Sequence, residues 1–216
     1  MKSALAAWRP PTPRALLLGG AAVLALVLVA GGGWFWYSSQ VERGQTVHAE
    51  ALALAAAARS PQAAAEAKRG AMAALDTALT AAASAPLAAQ SAYMLGDLRY
   101  EAGDLPGARA AYQVALAKTS SGTMRTLARA AVAATWEAER KFGEAVTAYT
   151  AALAEEKAGR FYYEDLLIGL ARNQELAGRK DEAIQTYQRV LKDVPKAQLR
   201  REPEVRGRLA SLGIAG

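Results

Sequence analysis

The chain has no cysteine. That excludes disulfides, thiolate metal sites, a cysteine nucleophile and a lipid-bearing cysteine in any compartment. Histidine occurs once, at His48. Neither a histidine-rich metal cluster nor a triad of cysteine and histidine can be built from one imidazole, and a lone histidine just beyond an apolar run reads as a surface residue. No phosphate-cradling G-x-x-x-x-G-K-[ST] motif occurs, and no G-x-G-x-x-G follows a strand pattern. The carboxylate pairs Glu155-Glu156 and Asp181-Glu182 fall at helix ends or on solvated faces, without the separated, partnered geometry that acid–base chemistry needs. These absences speak against an enzyme, a resident metal and a cofactor.

What is present is mostly alanine and charge. Hydrophobic residues make up 52% of the 216 positions. Much of that share is alanine, which favours helix strongly and buries little surface. The composition therefore predicts an all-α protein with room for one soluble domain. The net charge is +6, and Lys2, Arg9 and Arg14 contribute three of the positive charges ahead of the apolar run, where no acidic residue stands. Behind that run, 23 basic residues face 20 acidic ones. So small an excess argues against a nucleic-acid partner, which calls for a concentrated basic face.

Residues 15–37, ALLLGGAAVLALVLVAGGGWFWY, carry no charge over 23 positions. As a helix they would extend roughly 34 Å, enough to cross a bilayer. Trp34, Trp36 and Tyr37 crowd the far end, and Trp8 stands on the near side, in keeping with the preference of amphipathic rings for the headgroup layer. With Lys2, Arg9 and Arg14 before the run and only Glu42 and Arg43 close behind it, the positive-inside bias predicts a cytoplasmic tail at 1–14, a transmembrane helix at 15–37 and a soluble part on the outer side. A cleaved signal peptide is the rival. The run is long for one, lacks a clean A-x-A site and continues into an aromatic cluster, so the expectation is an uncleaved single-pass anchor in membrane lipid. Gly31 to Gly33 read as an ordinary small-residue end to the helix. Residues 38–60 read as a separate membrane-proximal helix, and Ser60-Pro61 interrupts the helical pattern.

Three later segments share one pattern. In AYMLGDLRYEAGDLPGARAAYQVALAKTS, Leu95-Gly96 is followed by Gly103-Asp104 and then by Ala108, Tyr112 and Ala115. The second copy places Val132-Ala133, Trp136, Phe142, Ala145, Tyr149 and Ala152 in step, and the third Leu170-Ala171, Gly178, Ala183, Tyr187, Val190 and Pro195. The alanines at 108, 145 and 183 are 37 and 38 positions apart. Small residues at 96, 108 and 115 let two helices approach, an aromatic at 112 fills the gap, Gly103 suits a helix C-cap and Asp104 caps the next helix. The pattern resembles the tetratricopeptide repeat, W-x2-L-G-x2-Y followed by A-x3-F and a closing proline. A degenerate fourth copy lies upstream at Ala74, Ala78, Ala81 and Pro86, with its second helix clearer than its first. Pro203 and EVRGRLASLG predict a final helix covering the end of the stack. The repeat domain is thus expected over 61–216, a helical repeat solenoid.

The first helix of each pair lines the concave face of such a stack. By repeat phase, Tyr93, Asp97, Tyr100 and Glu101 from the first repeat and Asp165, Ile168, Arg172 and Glu175 from the third form the expected protein-binding groove for a peptide or partner helix. For Tyr93 and Ile168, packing between repeats is an equal alternative. The clamp for a C-terminal carboxylate used by chaperone-docking members is not visible, because Asp97 is acidic where a polar amide is needed. Phe161-Tyr162-Tyr163 read as core at a helix start. Lys196, Arg200, Arg201, Arg206 and Arg208, set against Glu202 and Glu204, read as a solvated cap or a contact for an acidic partner or lipid headgroups.

The whole layout of tail, span, aromatic exit GWFWYSSQ, Ala-rich helix and about three helix pairs resembles the YfgM-like family, the ancillary subunit of the SecYEG translocon in Gram-negative bacteria. The resemblance implies an inner-membrane protein with a periplasmic domain that contacts translocon subunits, exported proteins and periplasmic chaperones. The alternatives are a tetratricopeptide scaffold coordinating cell division or envelope assembly, and an assembly factor for c-type cytochromes.

Overall fold

The computed structural model describes residues 13–60, 62–119, 122–157, 160 and 162–214. Lys2, Trp8, Arg9, Pro61, Ser120 and Phe161 lie outside the described residues. The secondary structure there is helical, with no strand among the described residues: α1 Pro13–Ala58, α2 Ala65–Ala81, α3 Ala88–Glu101, α4 Leu105–Lys118, α5 Gly122–Ala138, α6 Phe142–Ala154, α7 Tyr163–Leu176, α8 Lys180–Asp193 and α9 Glu202–Ser211. Contacts divide the chain into two units, one ending at Arg43 and the other starting at Gly44.

In the first unit α1 is long and apolar enough to cross a membrane by length and composition, and none of its most apolar window is buried. Where the run gives way to polar residues, the Ser38 and Ser39 hydroxyls donate to the carbonyls of Phe35 and Trp36 at 3.0 and 2.8 Å. These local bonds keep the serines within the helix. No break separates an anchor at 15–37 from a second helix at 38–60: α1 is one helix to Ala58. It stops ahead of Pro61, whose ring disfavours helical backbone at the preceding residue.

The second unit is a stack of helix pairs. The end of α1 pairs with α2, α3 with α4, α5 with α6, and α7 with α8. From α2 onward each helix packs on the next, and α3 and α7 both touch α5. The first pair, whose leading helix the sequence leaves doubtful, is real. Ala51, Ala55 and Ala58 of α1 are buried against Ala71, Leu75 and Ala78 of α2 and Leu95 and Leu98 of α3. Such small side chains let the axes come close. At the other end Val205 and Leu209 of α9 close the core made by Tyr163, Leu167, Ile168, Tyr187 and Val190, which is the covering role expected of a terminal helix.

Each later pair turns on the same hinge. The amides of Asp104, Lys141 and Arg179 bond to the carbonyls of Arg99, Trp136 and Gln174 at 2.8 to 2.9 Å, the six-to-one closure of a Schellman cap. The residue before each takes positive φ: Gly103 at 81°, Arg140 at 60° and Gly178 at 77°. Glycine costs nothing there, whereas arginine is strained. The Asp104 carboxylate then accepts from the Gly107 amide at 3.0 Å and starts α4.

Aromatic rings fill the gaps that small residues leave. A Cβ on Gly96 would lie 2.4 Å from the Tyr112 ring, and one on Gly169 would lie 2.6 Å from the Tyr149 ring. Tyr112 thus meets its own pair, while Tyr149 of α6 meets α7 of the next.

His48 departs from the expected surface position. It is fully buried, because positions 44, 48, 51, 55 and 58 form the inward stripe of α1. Its Nε2 lies 3.0 Å from the Ala82 carbonyl and its Nδ1 2.8 Å from the Ser91 hydroxyl. A carbonyl only accepts, so Nε2 carries the proton and the serine donates to Nδ1.

Candidate protein-binding groove

The expected groove residues separate into three environments. Tyr93, Asp165 and Arg172 come together around a pocket of about 220 Å³. Its floor is α5, through Leu127, Ala130, Ala131 and Ala134, with Gly169 of α7 beside it. Tyr149, Tyr162 and Arg201 complete the wall. Asp97, Tyr100 and Glu101 stand apart, nearer the first pair. Ile168 is in neither place: it is 1% exposed and packs in the core of α7, α8 and α9, so it is not available to a partner. Of its two readings, repeat packing is the one the fold adopts.

Polar residues on this face are tied to one another by a rule that recurs in each of the last three pairs. A tyrosine of the second helix donates to a carboxylate of the first, and that carboxylate also meets an arginine from outside the pair. Tyr112 donates to Asp97 at 2.9 Å, and Arg59 lies 3.5 Å from the same carboxylate. Tyr149 donates to Glu137 at 3.3 Å, and Arg172 pairs with Glu137 at 2.7 Å. Tyr187 donates to Glu175 at 3.2 Å, with Arg208 at 3.5 Å. Glu137 and Glu175 occupy the same repeat position. In the first repeat that position is Tyr100, so the earlier Asp97 takes the role.

Burial is the leading influence on the ring hydroxyls. It pushes the Tyr93 phenol up to about 12, reinforced by the nearby Asp97 charge, and pushes Tyr187 to about 12 in the same way with Glu175. Burial also raises the Asp97 carboxyl, against the Tyr112 hydrogen bond and the Arg59 charge, which lower it. The phenols therefore stay protonated as donors at neutral pH.

Glu101 is shared by Arg59 at 3.6 Å and Lys68 at 3.3 Å. Asp165 is held by Arg200 at 3.0 Å and Arg201 at 3.5 Å, and Arg201 also chelates Glu204 at 2.7 and 2.8 Å. The backbone amide of Arg201 donates to Glu164, a buried carboxylate, at 2.7 Å. The basic tail is accordingly not a free patch: Arg206 pairs with Glu202 and Arg208 with Glu175.

Sequence reasoning missed the floor of the pocket and one side of it. The repeat phase could have found the floor, since Ala130, Ala134 and Glu137 fall in step with Tyr93, Asp97 and Tyr100. Arg201 had no such signal, because the α8–α9 connection lies outside the repeat. Tyr162, expected in the core, is half-buried: it packs against the core of α5, α6 and α7 and also borders the pocket, while Tyr163 is fully core. Glu156, expected at a helix end or on a solvated face, follows the end of α6 and lies close against the Thr126 hydroxyl. Among the described residues no group of three or more acidic or histidine side chains is placed to hold a metal.

A tetratricopeptide repeat family model matches residues 137–202, from the end of α5 into α9. No curated protein matches the chain. The matched stretch holds the third repeat and the second half of the second, so the helix-pair stack described above is a tetratricopeptide-like repeat solenoid, following an N-terminal helix long and apolar enough to span a membrane.

Proposed function

We propose that this chain is a single-pass, membrane-anchored protein-binding module that serves as an ancillary subunit of the Sec translocon. In this reading its repeat domain is periplasmic and contacts exported proteins and periplasmic chaperones. The observation that carries the binding role is the open pocket at α5, where residues from three successive first helices converge on a surface that none of the described residues fills. Tetratricopeptide stacks are typically interaction modules, which supports the same role. Tyr93, Asp97, Tyr100, Glu101, Asp165, Arg172 and Glu175 are the proposed contact residues, with Ile168 removed. The translocon assignment draws on the layout of basic tail, apolar helix and aromatic exit ahead of the repeats.

The test is site-specific photocrosslinking in membranes, using the full chain with the reactive group at Tyr93, Tyr100 or Ala134. Channel subunits and exported chains among the adducts are the expected result. Adducts dominated by division or wall-assembly proteins would replace the translocon reading with the envelope-scaffold one.

A further inference from the structure

We propose that the pocket at the centre of the groove selects one bulky uncharged side chain, aromatic or branched aliphatic, from an extended partner segment. The inference rests on the groove being the binding face, and adds what that face prefers.

The pocket exists because helix α5 is cut down where its neighbours are not. Ala130 stands in step with Tyr93 and Ile168, and Ala134 with Asp97 and Arg172. A side chain as large as theirs at either position would close much of the space of about 220 Å³. The chain forgoes that packing and leaves a cup whose floor is alanine and whose wall carries tyrosine rings beside Asp165, Arg172 and Arg201.

Charge decides what fits the cup. Every charged group on its wall already has a partner of opposite sign. Arg172 has Glu137 at 2.7 Å, Arg201 has Glu204 at 2.7 Å, and Asp165 has Arg200 at 3.0 Å. A carboxylate or ammonium entering there would lose its hydration without gaining a free counter-charge. An uncharged side chain loses little and gains contact with the Tyr93 and Tyr149 rings. The Tyr93 hydroxyl has no hydrogen bond among the described residues, and it is a donor at neutral pH. It is free to take a backbone carbonyl of the segment that carries the guest.

The experiment uses the full-length chain in detergent micelles and fluorescent twelve-residue peptides of one Gly/Ser background, varied only at the centre. Peptides centred on Phe or Leu are expected to bind at least tenfold more tightly than those centred on Ala, Glu or Lys. Ala134→Leu, which fills the cup from within, should weaken the Phe peptide at least tenfold without lowering the thermal unfolding midpoint. Ala134→Met serves if the leucine variant unfolds early. Equal binding of the Glu or Lys peptide, or Phe binding unchanged in both variants, overturns the proposal. If crosslinks from Tyr93 to partners persist while this preference is absent, the pocket inference fails and the groove reading stands. If neither peptide nor partner is captured, both fail.

Discussion

The first and last helix pairs of the repeat domain follow one plan in different materials. The core shared by α1, α2 and α3, with Ala111 of α4, holds six buried alanines among nine residues, with only Leu75, Leu95 and Leu98 as large side chains. The core of α7, α8 and α9 holds two tyrosines, three valines, two leucines and an isoleucine. Alanine pairs allow close axes and favour helix, yet each removes little apolar area from water. The last pair also has a covering helix in α9. At the first pair, Leu54 remains 56% exposed beside an alanine-lined hollow of about 470 Å³. The difference teaches where stability is concentrated.

The largest test of this contrast is Tyr187→Ala. The ring is 1% exposed, so its loss should cost about 3–5 kcal/mol by the usual range for aromatic truncation in a core. Hydrogen exchange should show α7 to α9 losing protection together. In the unaltered protein α2 should exchange faster than α8, and the reverse order would break the comparison.

Gly96→Val comes next. The new side chain would begin 2.4 Å from the Tyr112 ring, and such overpacking costs about 1–3 kcal/mol. Denaturant unfolding would register it, and an unchanged midpoint would mean that α3 and α4 can separate freely. His48→Ala sharpens the account of the alanine-rich end. It leaves the buried Ser91 hydroxyl without its imidazole partner, at a cost of about 1–3 kcal/mol. The loss should appear as faster exchange in α2 and α3 and leave α8 unaffected.

The smallest expected effects lie at the turns. Arg140→Gly removes the strain of φ 60° at the middle turn and should stabilise by about 0.5–1 kcal/mol, while Gly103→Ala, at φ 81°, should destabilise by a similar amount. Chemical denaturation of the two variants would show midpoints moving in opposite directions, and a common direction would refute the equivalence of the turns.

The turns and second helices were the most legible parts of the fold. Gly103, Gly178, Ala108, Ala145 and Ala183, with the tyrosines four residues after the alanines, announce themselves because each is demanded by local backbone geometry or by contact within one pair. The pocket was only partly legible. Tyr93, Asp165 and Arg172 line it where the repeat phase put them, but Ile168, on the same repeat position as Tyr93, turns into the core of α7, α8 and α9. His48 was misread because Ser60-Pro61 obscured the first pair, and the inward stripe of α1 contains only small residues around it.

By itself the sequence determined the elements: helices from alanine and periodicity, their ends from glycine, aspartate and proline, and from an uninterrupted apolar run a helix long and apolar enough to cross a membrane. Each depends on neighbours within one or two turns of chain. The tertiary structure alone decided the pocket, the tyrosine–carboxylate–arginine pairings and the burial of His48. Those features join residues a dozen or more positions apart, and as many as 108 for Tyr93 and Arg201 in the pocket, and their outcome depends on the relative size of side chains on successive helices and on where the cap lays Arg201, quantities that no single segment encodes.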